Sequence, residues 1–288
     1  EAVRAIVDVN PLFTGVFLAI VTGLVIVGGV RSIGHVAGIL VPVMAIFYIG
    51  AGLVIILMHI DRVPDAFILI FRSAFEGQAA LGGFAGATVM MAVQTGIARS
   101  IFSNEAGLGI STMAAAAAKT DCPGRQAMIN MTGALISTII VCSISGLALA
   151  VTEMLGRSDE AGVHINGAAM AIAAFEQSIP GGLYIVSFGL ILFAFTTITA
   201  WAYYGEKCFE YLFGIRSVVY YRIVFTLIVI PGAILKMDTV WQLADIMNGL
   251  MVIPNLIAVI GLSGVVVAET DGFLKVVEKE RSVEEING

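Results

Sequence analysis

The sequence predicts an all-α protein, a polytopic membrane bundle of about seven transmembrane helices. Three observations carry that reading. Hydrophobic residues make up 59% of the 288 and charged residues only 12%, where a soluble domain has roughly a quarter charged. Apolar runs close to the roughly 20 residues that cross a bilayer recur along the whole chain. The strict alternation of a membrane barrel is absent, so the backbone must satisfy itself within helices.

The spans fall approximately at 12–30, 36–59, 83–118 with an interruption, 126–151, 182–204, 218–235 and 240–267. Residues 1–267 form the membrane domain, and 268–288, with Glu278, Glu280, Glu284 and Glu285, read as a polar, solvated cytoplasmic tail. The connections 31–35, 119–125 and 205–216 fall on one side with the tail, and 61–78, 153–180 and 236–238 on the other. The first side carries Arg31, Lys119, Arg125, Lys207, Arg216, Lys275, Lys279 and Arg281; the second carries Arg4, Arg62, Arg72, Arg157 and Lys236. The excess of basic residues marks the first side, and the C-terminus, as cytoplasmic. Two outer connections hold short apolar stretches, 64–75 and 168–179, suited to interfacial helices or to solvated loops.

Several classes of partner and chemistry are excluded or weak. The net charge of −6 includes no basic stripe, so no nucleic acid is expected. Cys122, Cys142 and Cys208 show neither paired nor metal-ligand spacing and read as reduced thiols. Gly261-Leu262-Ser263-Gly264 has the form of an intramembrane serine protease motif. A nucleophilic serine needs a base within reach, and the histidines His35, His59 and His164 lie near span ends or in a loop. Small-residue packing is the better account, as it is for Gly82 and Gly86.

The third span concentrates the costly residues. Arg99, Asn104 and Glu105 lie in one apolar stretch, followed by Gly107 and Gly109. Ionisable groups at such depth face a cavity or one another; alternatively they mark a membrane end, with 106–118 on the surface. The glycines weaken the helix, so the backbone is expected to open around 102–109 and resume in the alanine run 114–118. A broken helix frees N–H and C=O groups of the kind that hold ions and zwitterions in transporters.

The fifth span carries Thr196, Thr197 and Thr199, then Trp201 one turn beyond Thr197. Adjacent threonine hydroxyls, with the backbone carbonyl of Phe193, offer hard oxygens to a small cation such as sodium. The same hydroxyls also bond back to their own helix in membranes. Trp201 suits a pocket wall or an interfacial belt. Asn248, Gly249, Pro254 and Asn255 make the last span polar and kinked, fit to line a path or to pack.

Residues 96–109, Gly-Ile-Ala-Arg-Ser-Ile-Phe-Ser-Asn-Glu-Ala-Gly-Leu-Gly, closely resemble the signature of the alanine/glycine:cation symporters. Residues 193–197 with 201–208 resemble a second block of that family, and the similarity spans nearly the whole chain. The resemblance implies a leucine-transporter-like fold of two inverted five-helix repeats, of which these spans are the fourth to tenth helices. The first three, including a broken first helix with much of the site, are then missing N-terminal helices.

The implied activity is sodium-coupled symport of alanine or glycine, a small neutral amino acid, across the plasma (inner) membrane by alternating access. An uncoupled channel or facilitator is the alternative, and a protease a distant third; no enzyme is expected. Sodium is the implied ion and the lipid bilayer the solvent. Ser103 and Asn104 are expected to offer polar groups to the amino acid, Phe102 an apolar wall and Trp201 a stop for its side chain. The chain departs from the family pattern around the interrupted span and the next: Ser100 replaces a glycine, residues 110–115 read Ile-Ser-Thr-Met-Ala-Ala in place of Ser-Ala-Pro-Ile-Ala-His so that Ala115 replaces a histidine, and Ser137 replaces an aspartate.

Overall fold

The computed structural model describes residues 2–6, 9–76, 89–105, 107–158, 165, 167–235 and 237–287. The helices in chain order are α1 (Ala2–Ile6), α2 (Pro11–Val27), α3 (Gly29–Met58), α4 (Val63–Glu76), α5 (Val89–Asn104), α6 (Ser111–Ala116), α7 (Pro123–Leu135), α8 (Cys142–Val151), α9 (Gly167–Ser178), α10 (Gly182–Phe213), α11 (Val218–Gly232), α12 (Met237–Gly261) and α13 (Ser263–Asn287). A π-helical turn, Ile136–Val141, joins α7 to α8. Five stretches among the described residues are long and apolar enough to cross a bilayer: Gly29–Met58, Pro123–Val151, Gly182–Phe213, Ile215–Gly232 and Thr239–Gly261. α2 is apolar but only 17 residues long. The expected third span is described only in part, as α5 and α6; Gly82 and Gly86 lie outside the described residues.

Local chemistry sets the helix ends, and it moves several expected boundaries. Asn10 caps α2, accepting a hydrogen bond from the Leu12 amide at 3.0 Å, with Pro11 opening the first turn. The break between the first two expected spans falls at Gly29, whose φ of +67° favours glycine. Arg31 and His35 therefore sit in the first turns of α3 rather than in a connection. α10 continues past Tyr204 to Phe213 and stops at Gly214, φ +79°. At 32 residues it is roughly 48 Å long, well beyond the hydrocarbon thickness. The stretches expected as interfacial helices are helical, as α4 and α9. The tail is also helical, as α13.

The chain divides into two compact units. The first comprises Glu1–Gly96 and Val141–Val240. Its core gathers Ile55 of α3, Ala66 of α4, Ala148 and Val151 of α8, Phe175 of α9 and Val186 of α10. Gly182 lets α10 start directly against α9: a β-carbon there would lie 2.2 Å from the Phe175 carbonyl oxygen. Outward-facing residues are as apolar as the core. On α2, Ile26 is 1% exposed and Leu24 72%, the pattern of a helix with lipid outside.

One ion pair fixes three helices of this unit. Arg222 of α11 donates from Nε and Nη2 to both carboxylate oxygens of Glu206 on α10, at 2.7 and 2.9 Å. Its Nη1 donates to the Val27 carbonyl at 3.1 Å, closing the C-terminus of α2. Glu206 is buried. Gly205 beside it leaves room for Tyr221, whose hydroxyl would sit 2.1 Å from an added β-carbon.

The second unit comprises Ile97–Ile140 and Trp241–Gly288. Here α13 returns to the start of α7. The Phe273 ring lies against Gly124, where a β-carbon would fall 2.4 Å from its Cγ. Arg125 donates to Asp121 at 2.9 Å and to Glu280 at 2.6 Å. Arg125 beside Asp121 holds that carboxyl below its usual range.

Candidate functional site

Polar groups collect at one place in each unit. In the second unit that place is the end of α5. The helix runs unbroken through Phe102, Ser103 and Asn104, so these three occupy its last turn and the opening begins after them, at 105, where it was expected from 102. Glu105 then takes φ +54°, rare for a residue with a side chain, and Gly107 and Gly109 follow at +76° each. Among the described residues, two backbone hydrogen bonds hold the irregular stretch: the Glu105 N–H donates to the Phe102 carbonyl at 3.4 Å and the Leu108 N–H to the Glu105 carbonyl at 3.3 Å. Leu108 and Ile110 are buried, and α6 restarts the helix at Ser111.

Neighbouring helices of the unit close on this break. The Thr138 hydroxyl donates to Oδ1 of Asn104, and Nδ2 of Asn104 donates to Ser100 at 3.4 Å. Thr138 belongs to the π-helical turn, a local defect of the kind that recurs at functional sites. Ser137, next to it, bonds back to the Ala134 carbonyl at 3.1 Å. Asn255 of α12 faces Gly109, where a β-carbon would lie 2.6 Å from its Oδ1. A side chain at 109 would be strained by φ and would require Asn255 to move.

Arg99 has partners that sequence reasoning missed. Its Nη2 donates to Oδ2 of Asp245 at 2.5 Å, and its guanidinium lies 4.2 Å from the centre of the Trp241 ring. Phe102 meets the same indole edge-on, with ring centres 5.5 Å apart. Trp241 and Asp245 share a face of α12, as Arg99 and Phe102 share one of α5. Asp245 in an apolar span was the available signal. Of the two readings of Arg99, facing another charged group is the one the geometry supports.

In the first unit the place is the middle of α10. Thr196 is buried, and its hydroxyl donates to the carbonyls of Leu192 at 3.0 Å and Phe193 at 3.1 Å, with Met44 Sδ of α3 at 3.9 Å. Thr199 is buried and bonds back to Phe195 at 3.1 Å and to the Thr196 carbonyl at 2.9 Å. Thr196, Thr199, Tyr203 and Glu206 make one buried stripe. Thr197 is exposed, about 100° round the helix, on the face that carries half-buried Trp201. Trp201 packs edge-on to Tyr204 with ring centres 6.3 Å apart. Phe102, Ser103 and Asn104 belong to one unit and Thr196, Thr197 and Trp201 to the other. The protease-like Ser263 opens α13, and His164 lies outside the described residues.

The sequence pattern of the sodium:alanine symporter family matches residues 1–287. The chain belongs to this family. It is 48% identical over 283 residues to the sodium/alanine symporter AgcS of Methanococcus maripaludis, covering 97% of this chain and 60% of that protein. It is 34% identical over 258 residues to the probable sodium/glutamine symporter GlnT of Bacillus subtilis, covering 89% of this chain and 52% of that protein. A sodium/proton-dependent alanine carrier protein of Bacillus sp. strain PS3 is 34% identical over 263 residues, covering 86% of this chain and 58% of that protein. The chain therefore spans between 52 and 60% of the length of these relatives. Its family is one of membrane transporters, which accords with the helices able to cross a bilayer.

Proposed function

We propose that the protein containing this chain is a sodium-coupled symporter of a small neutral amino acid, alanine or glycine, working by alternating access. The observation that carries the reading is the family signature folded as a helix that ends at Asn104 and restarts at Ser111. Such an interruption offers unpaired backbone groups to a small charged solute inside a membrane. The names of the relatives support sodium and alanine, and that of GlnT bears on how far the substrate varies within the family.

For the amino acid, Ser103 and Asn104 supply polar groups at the break and Phe102 an apolar surface. For sodium, Thr196 and Thr197 supply hydroxyl oxygens with the carbonyl of Phe193. The donor chemistry fits a hard cation: the Thr196 hydroxyl and the Phe193 carbonyl already lie 3.1 Å apart. Thr197 is the more accessible of the two hydroxyls. The setting is the plasma membrane, with the tail 268–288 on the cytoplasmic side.

Uptake of labelled alanine by the full-length protein in liposomes tests this. An inward sodium gradient should concentrate alanine, and an equal choline gradient should not. Equal uptake in both would point instead to an uncoupled facilitator.

A further inference from the structure

Arg99 is the costliest residue of α5, and binding of ion and amino acid as proposed above leaves it unused. It is gripped by two residues one turn apart on α12, the Asp245 carboxylate at 2.5 Å and the Trp241 ring at 4.2 Å. One turn further along α5, Phe102 meets the same indole edge-on. Two residues of each helix therefore interlock.

The grip is incomplete. Only one carboxylate oxygen takes part, and the Arg99 and Asp245 side chains are 37% and 43% exposed. Water screens such a pair and competes for it. Arg99 Nη1 is buried and meets no acceptor among the described residues. An unmet buried donor penalises the closed arrangement and is relieved when water reaches it. By contrast every nitrogen of the Arg222 guanidinium has an acceptor.

Beyond the gripped turn lies a backbone suited to bending. Glu105, Gly107 and Gly109 all have positive φ, and a few such residues at an element's end absorb the rotation of a hinge. α12 backs both places, with Asp245 at Arg99 and Asn255 at Gly109.

We propose that Arg99, Trp241 and Asp245 form a releasable latch that holds the end of α5 on α12, and that its release opens the segment after Asn104. This adds a gating step to the transport reading and rests on that reading for its purpose; the contact itself does not depend on it.

Leu108 is 5% exposed and reports on the segment. The test places a cysteine there (Leu108→Cys) in the full-length protein with its native cysteines replaced. The rate of modification by a membrane-impermeant maleimide is then measured in vesicles of both orientations. Asp245→Asn and Arg99→Gln should each raise the rate about fivefold from one side. Reversing the pair, Arg99→Asp with Asp245→Arg, should bring it back toward the parent. Without any change to the pair, raising choline chloride from about 0.05 to about 1 M, which cuts the Debye length to about 3 Å, should also raise the rate. An unchanged rate in both single variants overturns the latch, and where a variant does not fold an unchanged rate in salt does so. A latch that responds in a protein lacking sodium-driven uptake would keep this proposal and reject the transport reading.

Discussion

Arg222 and Arg99 both reach across to a carboxylate on another helix, and the two are held in opposite ways. Arg222 meets both oxygens of a buried Glu206 and spends its third nitrogen on the end of α2. Arg99 meets one oxygen of a half-exposed Asp245, rests on an indole and leaves one buried nitrogen unmet among the described residues. Completeness of hydrogen bonding, more than the presence of charge, separates a strut from a contact able to let go. The strut binds α2, α10 and α11, and α10 carries the threonines proposed for sodium. The weaker contact sits one turn from Phe102, Ser103 and Asn104, beside the irregular backbone.

The largest effect is expected at the strut. Arg222→Met leaves the Glu206 carboxylate buried and unpaired, which should cost about 3–5 kcal/mol. Thermal unfolding of the detergent-solubilised protein measures this. Replacing both partners with methionine should recover most of the loss, because breaking a buried pair costs more than removing it. Similar losses for the single and double replacements would mean that the Arg222 contacts to α2 matter more than the pair.

A smaller effect is expected at Asp245. Asp245→Asn should lower unfolding stability by about 1 kcal/mol or less, since the pair is screened. A loss as large as that of Arg222→Met would make Arg99 a second strut and erase the contrast.

The smallest effect belongs to Arg125, which bridges Asp121 and Glu280 in solvent. Glu280→Gln should leave the unfolding temperature unchanged. Asp121 has a folded pKa below its unfolded value, so the little it contributes is present above the unfolded pKa and is lost as pH falls through the folded one. A clear drop on Glu280→Gln would show that α13 is tied to α7 by more than the exposed pair.

The sequence made the helical class and the break legible because both depend on local composition. Gly107 and Gly109 close behind Asn104 announce a helix end, and the structure places positive φ at both. The expected connection at 31–35 followed its charges, but backbone geometry decides where a helix stops, and Gly29 supplies that just upstream of the stretch. Residues 205–213 looked like a loop for the same reason, although Glu206 faces inward to Arg222 and Lys207 pairs with Glu210 at 2.7 Å along the helix. The partner of Arg99 lies 146 residues away, so no spacing within one span could reveal it. The threonines were legible as chemistry and open as to role: the structure shows Thr196 and Thr199 bonding back to their own helix and Thr197 turned to the open face.

The sodium dependence of uptake tests the central claim most directly. Valine keeps the shape of threonine and removes the oxygen. In the full-length protein, Thr196→Val, Thr197→Val and the double replacement should each raise the sodium concentration that gives half-maximal alanine uptake, the double most of all. An unchanged sodium dependence in all three would remove α10 from the ion site and contradict the account.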